Sequence, residues 1–250
     1  MPDDPYARPS PPATPSSIPA VPAVPAVPTG PAPPSNEAVV VDTLTVVYGT
    51  LTAVQDVQLA VEPGTFLALT GPSGAGKTTL LWAIAGAVPA HTGRVVVRGR
   101  VVSGRRGGVD AGVTLIPQGN GLAGVLTAYE NVVIPLLATG VPSIDAATRA
   151  RAALGDVGLE ESGGHLVEEL SGGQQQRVAV ARGLAARTAV LLADEPTSEL
   201  DHVNRGRVLD LLHEAARQGA VVVMATHDPE AAAVAEGEIR LDEGRLTPVR

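Results

Sequence analysis

The chain has 250 residues, 44% of them hydrophobic, enough to bury one large core or two small ones. A formal net charge of −8 argues against a nucleic-acid backbone as partner. The absence of cysteine excludes disulfides, thiolate metal sites and thiol chemistry.

Aromatics make up only 2%, so Val, Leu, Ala and Ile must build the core. The start, MPDD, is acidic and lacks an apolar stretch, so no signal peptide is expected. No apolar run reaches the roughly 18 residues of a membrane span. Any membrane association is expected to run through a partner.

Thirteen of the 22 prolines fall within residues 1–36. PAVPAVPAVP (19–28) repeats every three residues, the period of polyproline II. Such a segment buries too little apolar surface to fold, so 1–36 is read as a disordered tail. A ligand for a proline-binding module is the alternative.

From residue 37 onward the patterns are those of a folded domain. AVVVDTLTVVY and VQLAV (57–61) read as strands, FLALT (66–70) as a short apolar strand, and RVVVRGRVVS (94–103) as one or two more. VTLIP (113–117), AVLLA (189–193) and AVVVMAT (220–226) have few polar interruptions, as expected of parallel strands buried on both faces. Helices are predicted over 77–85, roughly 144–154, 174–186 and 203–218. A closing hairpin turns at Asp242–Gly244. The expected fold class is α/β, with a mostly parallel core sheet, an antiparallel β layer near the N-terminus and an inserted helical subdomain at about 120–185.

The order strand, GPSGAGKTT, helix is the context of a phosphate-binding P-loop. It comprises Gly71, Pro72, Ser73, Gly74, Ala75, Gly76, Lys77, Thr78 and Thr79. The glycines let backbone N–H groups converge on an anion, and the start of the next helix adds its dipole. Lys77 is the only lysine among 18 basic residues. A compact ammonium on a flexible stem fits inside such a nest, where a broad guanidinium crowds it. Thr78 offers a hydroxyl to Mg²⁺. This motif alone leaves kinases, GTPases and motor ATPases open.

LSGGQQQR (170–177) opens a second predicted helix with Ser171, Gly172, Gly173 and Gln174, another anion-friendly start. A plain Ser/Gly helix cap is the bland alternative. With both motifs in one chain, residues 38–250 resemble the ATPase subunits of the ATP-binding cassette (ABC) family. In that family two cassettes pack head to tail, and the signature of one closes over ATP held by the P-loop of the other.

The resemblance implies further roles. Asp194 and Glu195, in AVLLADEP, would hold Mg²⁺ and polarise the attacking water. His227 resembles the switch histidine that contacts the γ-phosphate. Gln118 resembles the glutamine that senses Mg²⁺ and the water and links to the membrane partner. Tyr48 sits where relatives stack an aromatic on adenine; a packed strand tyrosine is the alternative. Asp201, in TSELD, matches the loop that crosses the dimer interface, whereas Glu199 departs from a position that is commonly small. Asp228, before Pro229, reads as a helix N-cap without chemistry. The acidic cluster Asp156, Glu160, Glu161, Glu168 and Glu169 reads as a solvated face, or else as a docking surface for basic groups.

LTAYENVVIPLL (126–137) is similar to the lipoprotein-releasing and macrolide-exporter branch. The resemblance thus implies an ATPase with ATP and Mg²⁺ as cofactors. Its implied partners are a transmembrane permease on a separate chain and a second ABC ATPase subunit, in a homo- or heterodimer, with no nucleic acid. The implied location is the cytoplasmic face of the plasma membrane. An ABC ATPase that transmits force or regulates a membrane partner without transport is the alternative. Soluble repair or translation cassettes fit less well, because only 52 residues without heptads separate Gln118 from Ser171.

Overall fold

The computed structural model describes residues 38–250; the proline-rich stretch 1–36 lies outside them. In chain order the elements are β1 (Val39–Tyr48), β2 (Leu51–Val61), β3 (Phe66–Thr70), α1 (Lys77–Ile84), β4 (Thr92–Val97), β5 (Arg100–Val101), α2 (Gly104–Asp110) and β6 (Val113–Ile116). Then come α3 (Ala128–Ala138), α4 (Ser143–Asp156), a 3₁₀ turn (Val167–Glu169), α5 (Gly172–Ala185), β7 (Val190–Asp194) and α6 (His202–Arg217). The chain closes with β8 (Val221–Ala225), α7 (Pro229–Val234), β9 (Gly237–Asp242) and β10 (Arg245–Pro248).

Two sheets result. An antiparallel sheet has the order β2-β1-β4-β5. The larger has the order β10-β9-β3-β8-β7-β6. Within it β9, β3, β8, β7 and β6 run parallel, and β10 folds back on β9.

Every residue of β7 and β8 is buried, which explains their unbroken apolar runs. The two-residue period divides these strands between two cores. Phe66, Ala68, Leu191, Ala193, Val222 and Met224 face the core built with α3, α4, α5 and α6. Leu67, Leu69, Val190, Leu192, Val221 and Val223 face the other, shared with Leu80, Leu81 and Ile84 of α1 and the valines of β1. The helix that follows the glycine loop is thus clamped between the two sheets.

Two features differ from the sequence reading. β2 begins six residues before the apolar stretch VQLAV, because Gly49, at φ 59°, makes a tight turn that pairs Tyr48 with Leu51. α3 also forms despite β-branched Val132, Val133 and Ile134 and an internal Pro135. Its start explains why. Thr127 Oγ1 accepts from the Glu130 N–H at 3.1 Å, and Glu130 Oε2 accepts from the Thr127 N–H at 2.8 Å. These bonds hold the Glu130 carboxyl below its ordinary range. Ala128, Val132, Val133 and Leu136 then fall on one buried face.

Asn131 on the same helix fastens the loop that leads in from β6. Its Oδ1 accepts from Ala123 N–H at 2.8 Å. Its Nδ2 donates to the carbonyls of Ala123, Leu126 and Thr127 at 3.0–3.3 Å. Asn131→Ala strands these buried backbone groups and is expected to cost about 1–3 kcal/mol. Thermal unfolding should register a Tm several degrees lower; an unchanged Tm contradicts the fastening role.

Candidate active site

β3 ends at Thr70, and the chain passes through the glycine loop directly into α1. The loop has neighbours on both sides. A Cβ at Gly71 (φ 140°) would run into the Leu241 carbonyl, and one at Gly76 (φ 102°) into the Ala53 carbonyl. Both positions therefore need glycine for backbone angle and for space. Gly244 pins the loop further, donating to the Ala75 carbonyl at 3.1 Å while accepting from Gln55 N–H at 2.8 Å. Pro72, Ser73 and Gly74 stay exposed at the mouth, and Thr79 is half-buried behind them.

Lys77 is buried, with its Nζ donating to the carbonyls of Gly71 (2.8 Å) and Pro72 (3.0 Å). The ammonium thus spans the loop from inside. Thr78 Oγ1 donates to Asp194 Oδ2 at 2.7 Å. Asp194 is itself buried at the end of β7. Burial pushes its carboxyl above the ordinary range, and the Glu195 charge adds to this. The Thr78 hydrogen bond and Lys77 pull the other way. The donor set here is one hydroxyl and one poorly solvated carboxylate. Those oxygen ligands suit Mg²⁺, which takes few protein ligands and completes its shell with phosphate and water.

Glu195 has φ 52°, a left-handed backbone uncommon outside glycine. Its N–H donates to the Ala225 carbonyl at 2.9 Å. Its own carbonyl accepts from Gln176 Nε2 (2.9 Å) and Ser198 Oγ (3.1 Å). These bonds hold the strained turn and aim the side chain at the loop following β8. There Glu195 Oε1 meets His227 Nδ1 at 2.8 Å. A carboxylate can only accept, which assigns the proton to Nδ1 and leaves Nε2 free in the largely exposed ring.

Gln118 lies two residues past β6, exposed, at the same sheet edge. Pro117 opens a turn closed by Asn120 N–H on its carbonyl at 3.1 Å. Arg182 of α5 grips the far side, donating to the carbonyls of Asn120 and Gly121 at 2.7 Å each. Tyr48 is exposed at the tip of the β1–β2 hairpin, whose Ala53 abuts Gly76.

Ser171 caps α5. Its Oγ accepts from Gln174 N–H at 3.3 Å, and Gln174 Oε1 accepts from Ser171 N–H at 2.9 Å. The start of α5 is thus formed and exposed at Ser171 and Gly172. Asp201 caps α6 through Asn204 N–H at 2.9 Å, and bonds from Asn204 hold its carboxyl below the ordinary range. Among the described residues, no hydrogen bond joins Ser171–Gln174 or Asp201 to the glycine loop. Asp228 caps α7 as expected, accepting from Glu230 N–H at 2.9 Å. It also pairs with Arg205 of α6 at 3.0 Å. The cluster Asp156, Glu160, Glu161, Glu168 and Glu169 is exposed.

Sequence reasoning passed over Gln176, Arg182 and Arg205. Gln176 had a signal, since it lies on the apolar face of α5, where a buried amide needs partners.

The site electrostatics carry a stability consequence. A carboxyl whose folded pKa lies above its unfolded value favours the fold below the unfolded pKa. That contribution is lost as pH rises through the folded pKa. Asp194→Asn keeps an acceptor for Thr78 but removes the buried charge. The nucleotide-free variant should melt a few degrees higher at neutral pH. The gain should vanish as pH falls from the elevated folded pKa toward the ordinary Asp value. Thermal scans of both proteins against pH test this; a lower variant Tm at neutral pH contradicts it.

A family profile described as ABC transporter matches residues 54–198. The lipoprotein-releasing system ATP-binding protein LolD of Ruegeria pomeroyi is 43% identical over 206 residues, 80% of this chain and 90% of its own length. The Fe(3+) ions import ATP-binding protein FbpC of Agrobacterium fabrum is 40% identical over 84% of this chain, which spans only 60% of that relative. Among solved structures, the ATP-binding cassette MJ0796, dimeric in a post-hydrolysis state with ADP and Pi, matches with a TM-score of 0.78. It is 30% identical over 85% of this chain and 99% of its own. With a family profile covering more than half of it and relatives of this kind along most of its length, this chain belongs to the ABC transporter family as an ATP-binding ATPase subunit.

Proposed function

We propose that this chain drives a separate membrane-spanning permease by ATP-dependent, head-to-tail closure of two cassettes, in an export or lipoprotein-handling system. The observation that carries the reading is a split. Lys77, the Thr78–Asp194 pair and the Glu195–His227 pair gather at one sheet edge, while among the described residues no hydrogen bond joins the capped, exposed start of α5 to the glycine loop. A second copy supplies what one chain lacks.

The roles follow from the chemistry. The loop Gly71–Thr79 wraps the phosphates with N–H groups, and Lys77 turns from its carbonyls to the outer phosphates. Thr78 and Asp194, with Gln118, hold Mg²⁺, which when bound neutralises charge on the transferring phosphoryl. Glu195 accepts a proton from the attacking water, and His227 orients the γ-phosphate through Nε2. Tyr48 stacks on adenine. Ser171, Gly172, Gly173 and Gln174 of the second cassette close over the same ATP, and Asp201 lies at the crossing. The folded domain from residue 37 thus works as one ATPase unit, with its helical subdomain at about 120–185 carrying the second phosphate reader.

Among the described residues no helix is long and apolar enough to cross a membrane; in this reading the permease is a separate chain and the cassette sits at the cytoplasmic membrane face. The lipoprotein-releasing relative, matched over 90% of its length against 60% for the iron importer, supports that side of the family. α3 carries the YENVVIPLL stretch, which is similar to that branch.

Glu195→Gln should bind ATP yet hydrolyse it about 10²–10⁴ times more slowly. With ATP its mass by light scattering should double, and membrane pull-down of that locked form should recover the permease. Lys77→Arg should instead lose ATP binding while keeping its fold, because the guanidinium does not fit between the Gly71 and Pro72 carbonyls. Normal turnover by either variant contradicts the assignment.

A further inference from the structure

Glu199 has a defined place. Gln176 is only 5% exposed, and its amide is spent on the segment after β7. Nε2 donates to the Glu195 carbonyl (2.9 Å) and to Ser198 Oγ (3.1 Å), while Oε1 accepts from the Glu199 N–H at 2.8 Å. This fastens residues 195–199 along the first turn of α5. The Glu199 carbonyl then lies 3.0 Å from where a Cβ on Gly173 would stand. The Glu199 carboxylate, through Oε2, lies directly against Gly172, where any side chain would collide with it.

Gly172 and Gly173 are the first two residues of α5. Ser171 Oγ takes the N–H of Gln174. The N–H groups of the two glycines are left as the positive end of a 14-residue helix. Among the described residues the Glu199 carboxylate accepts no hydrogen bond and pairs with no cation. It lies beside that helix end.

We propose that Glu199 is a built-in competitor for the signature helix, setting the ATP concentration at which two cassettes close. The inference rests on the composite-site reading above. In the open chain the carboxylate neutralises the start of α5. When the γ-phosphate of ATP on the second cassette arrives, two anions meet at one pair of N–H groups. Glu199, exposed and otherwise unbound, must swing aside. Closure is therefore opposed by a like-charge term that a small residue at 199 lacks. Two-fold symmetry makes the opposition act twice per dimer. Because the carboxylate is solvent-accessible, salt screens the opposition.

The test uses the full chain in the Glu195→Gln background, with dimer mass read by light scattering against ATP concentration. Glu199→Gln removes the charge and keeps the shape; Glu199→Ala removes both. Each should lower the ATP midpoint about three-fold or more at low salt. The gap from the parent should close near 1 M salt, where the screening length falls to about 3 Å. Ser171→Arg serves as the control and should block dimerisation at any ATP concentration. If Ser171→Arg blocks but Glu199→Gln leaves the midpoint unmoved or raises it, the competitor role is overturned and the composite site stands. A shift in the alanine variant without one in the glutamine variant overturns it too, since size rather than charge would then act. If the parent stays monomeric, or Ser171→Arg dimerises normally, the composite site itself fails.

Discussion

Parallel strands cannot be joined by tight turns, so each exit from β3, β6, β7 and β8 leaves from the same edge of the sheet. The register makes that edge level. Leu69 of β3 and Asp194 of β7 both pair with Ala225 of β8, and Ile116 of β6 pairs with Ala193. One residue beyond the Leu69–Ala225–Asp194 line stand Glu195 and, by the β6–β7 register, Gln118; two beyond it stands His227, and the glycine loop starts beside them. The spacing is tight enough for Thr78, one residue into α1, to reach back to Asp194. Chemistry spread over more than a hundred residues of sequence is gathered by strand register alone.

The same edge is wired to the second helix start. Gln176 belongs to α5, yet its amide holds the Glu195 carbonyl and the Glu199 N–H. Arg182, further along α5, holds the turn that carries Gln118. Arg205 joins α6, which Asp201 caps, to Asp228 beside His227. On the proposed function, a movement of α5 or α6 on meeting a second cassette would therefore pull on backbone that positions Glu195, Gln118 and His227. The coupling needs no long path, because α5 bonds to the site loops directly.

Much of this was legible in the sequence, for identifiable reasons. The buried parallel strands announce themselves because both faces demand apolar residues. The glycine loop is legible because two of its glycines are wedged against the Leu241 and Ala53 carbonyls, where no other residue fits. The caps at Ser171 and Asp228 follow from short polar side chains ahead of helical patterns, whereas the sequence reading did not single out Asp201 as the cap of α6. What stayed hidden depends on tertiary contact. The run Val132, Val133, Ile134, Pro135 has poor helix propensity, and burial overrides it. Its one local signal was the Thr127–Glu130 capping box. Gln176 and Arg182 could not be assigned partners from sequence, because those partners are main-chain atoms of distant loops. The side on which Glu199 lies was equally hidden, since it depends on the Gln176 clamp.

Several features of the site work against the stability of the empty chain. Asp194 keeps a carboxylate where water is scarce. Glu195 holds a left-handed backbone without being glycine. Lys77 is buried against carbonyls with no direct carboxylate partner. Under the proposed function the first and last of these would be relieved together. A nucleotide phosphate would give the ammonium an anion, and a divalent cation would give Asp194 a charge to face. Ligand that binds the folded chain alone stabilises it by an amount that grows with the logarithm of its concentration above Kd. The empty fold therefore carries unfavourable electrostatics that the proposed binding of ATP would discharge, making energy of binding available to move the elements tied to the site. The Glu195 backbone is not relieved by charge. It is held by the Ala225, Gln176 and Ser198 bonds, two of which end on α5 or on the segment leading to α6. Strain at that residue is thus maintained by the elements that a second cassette would touch.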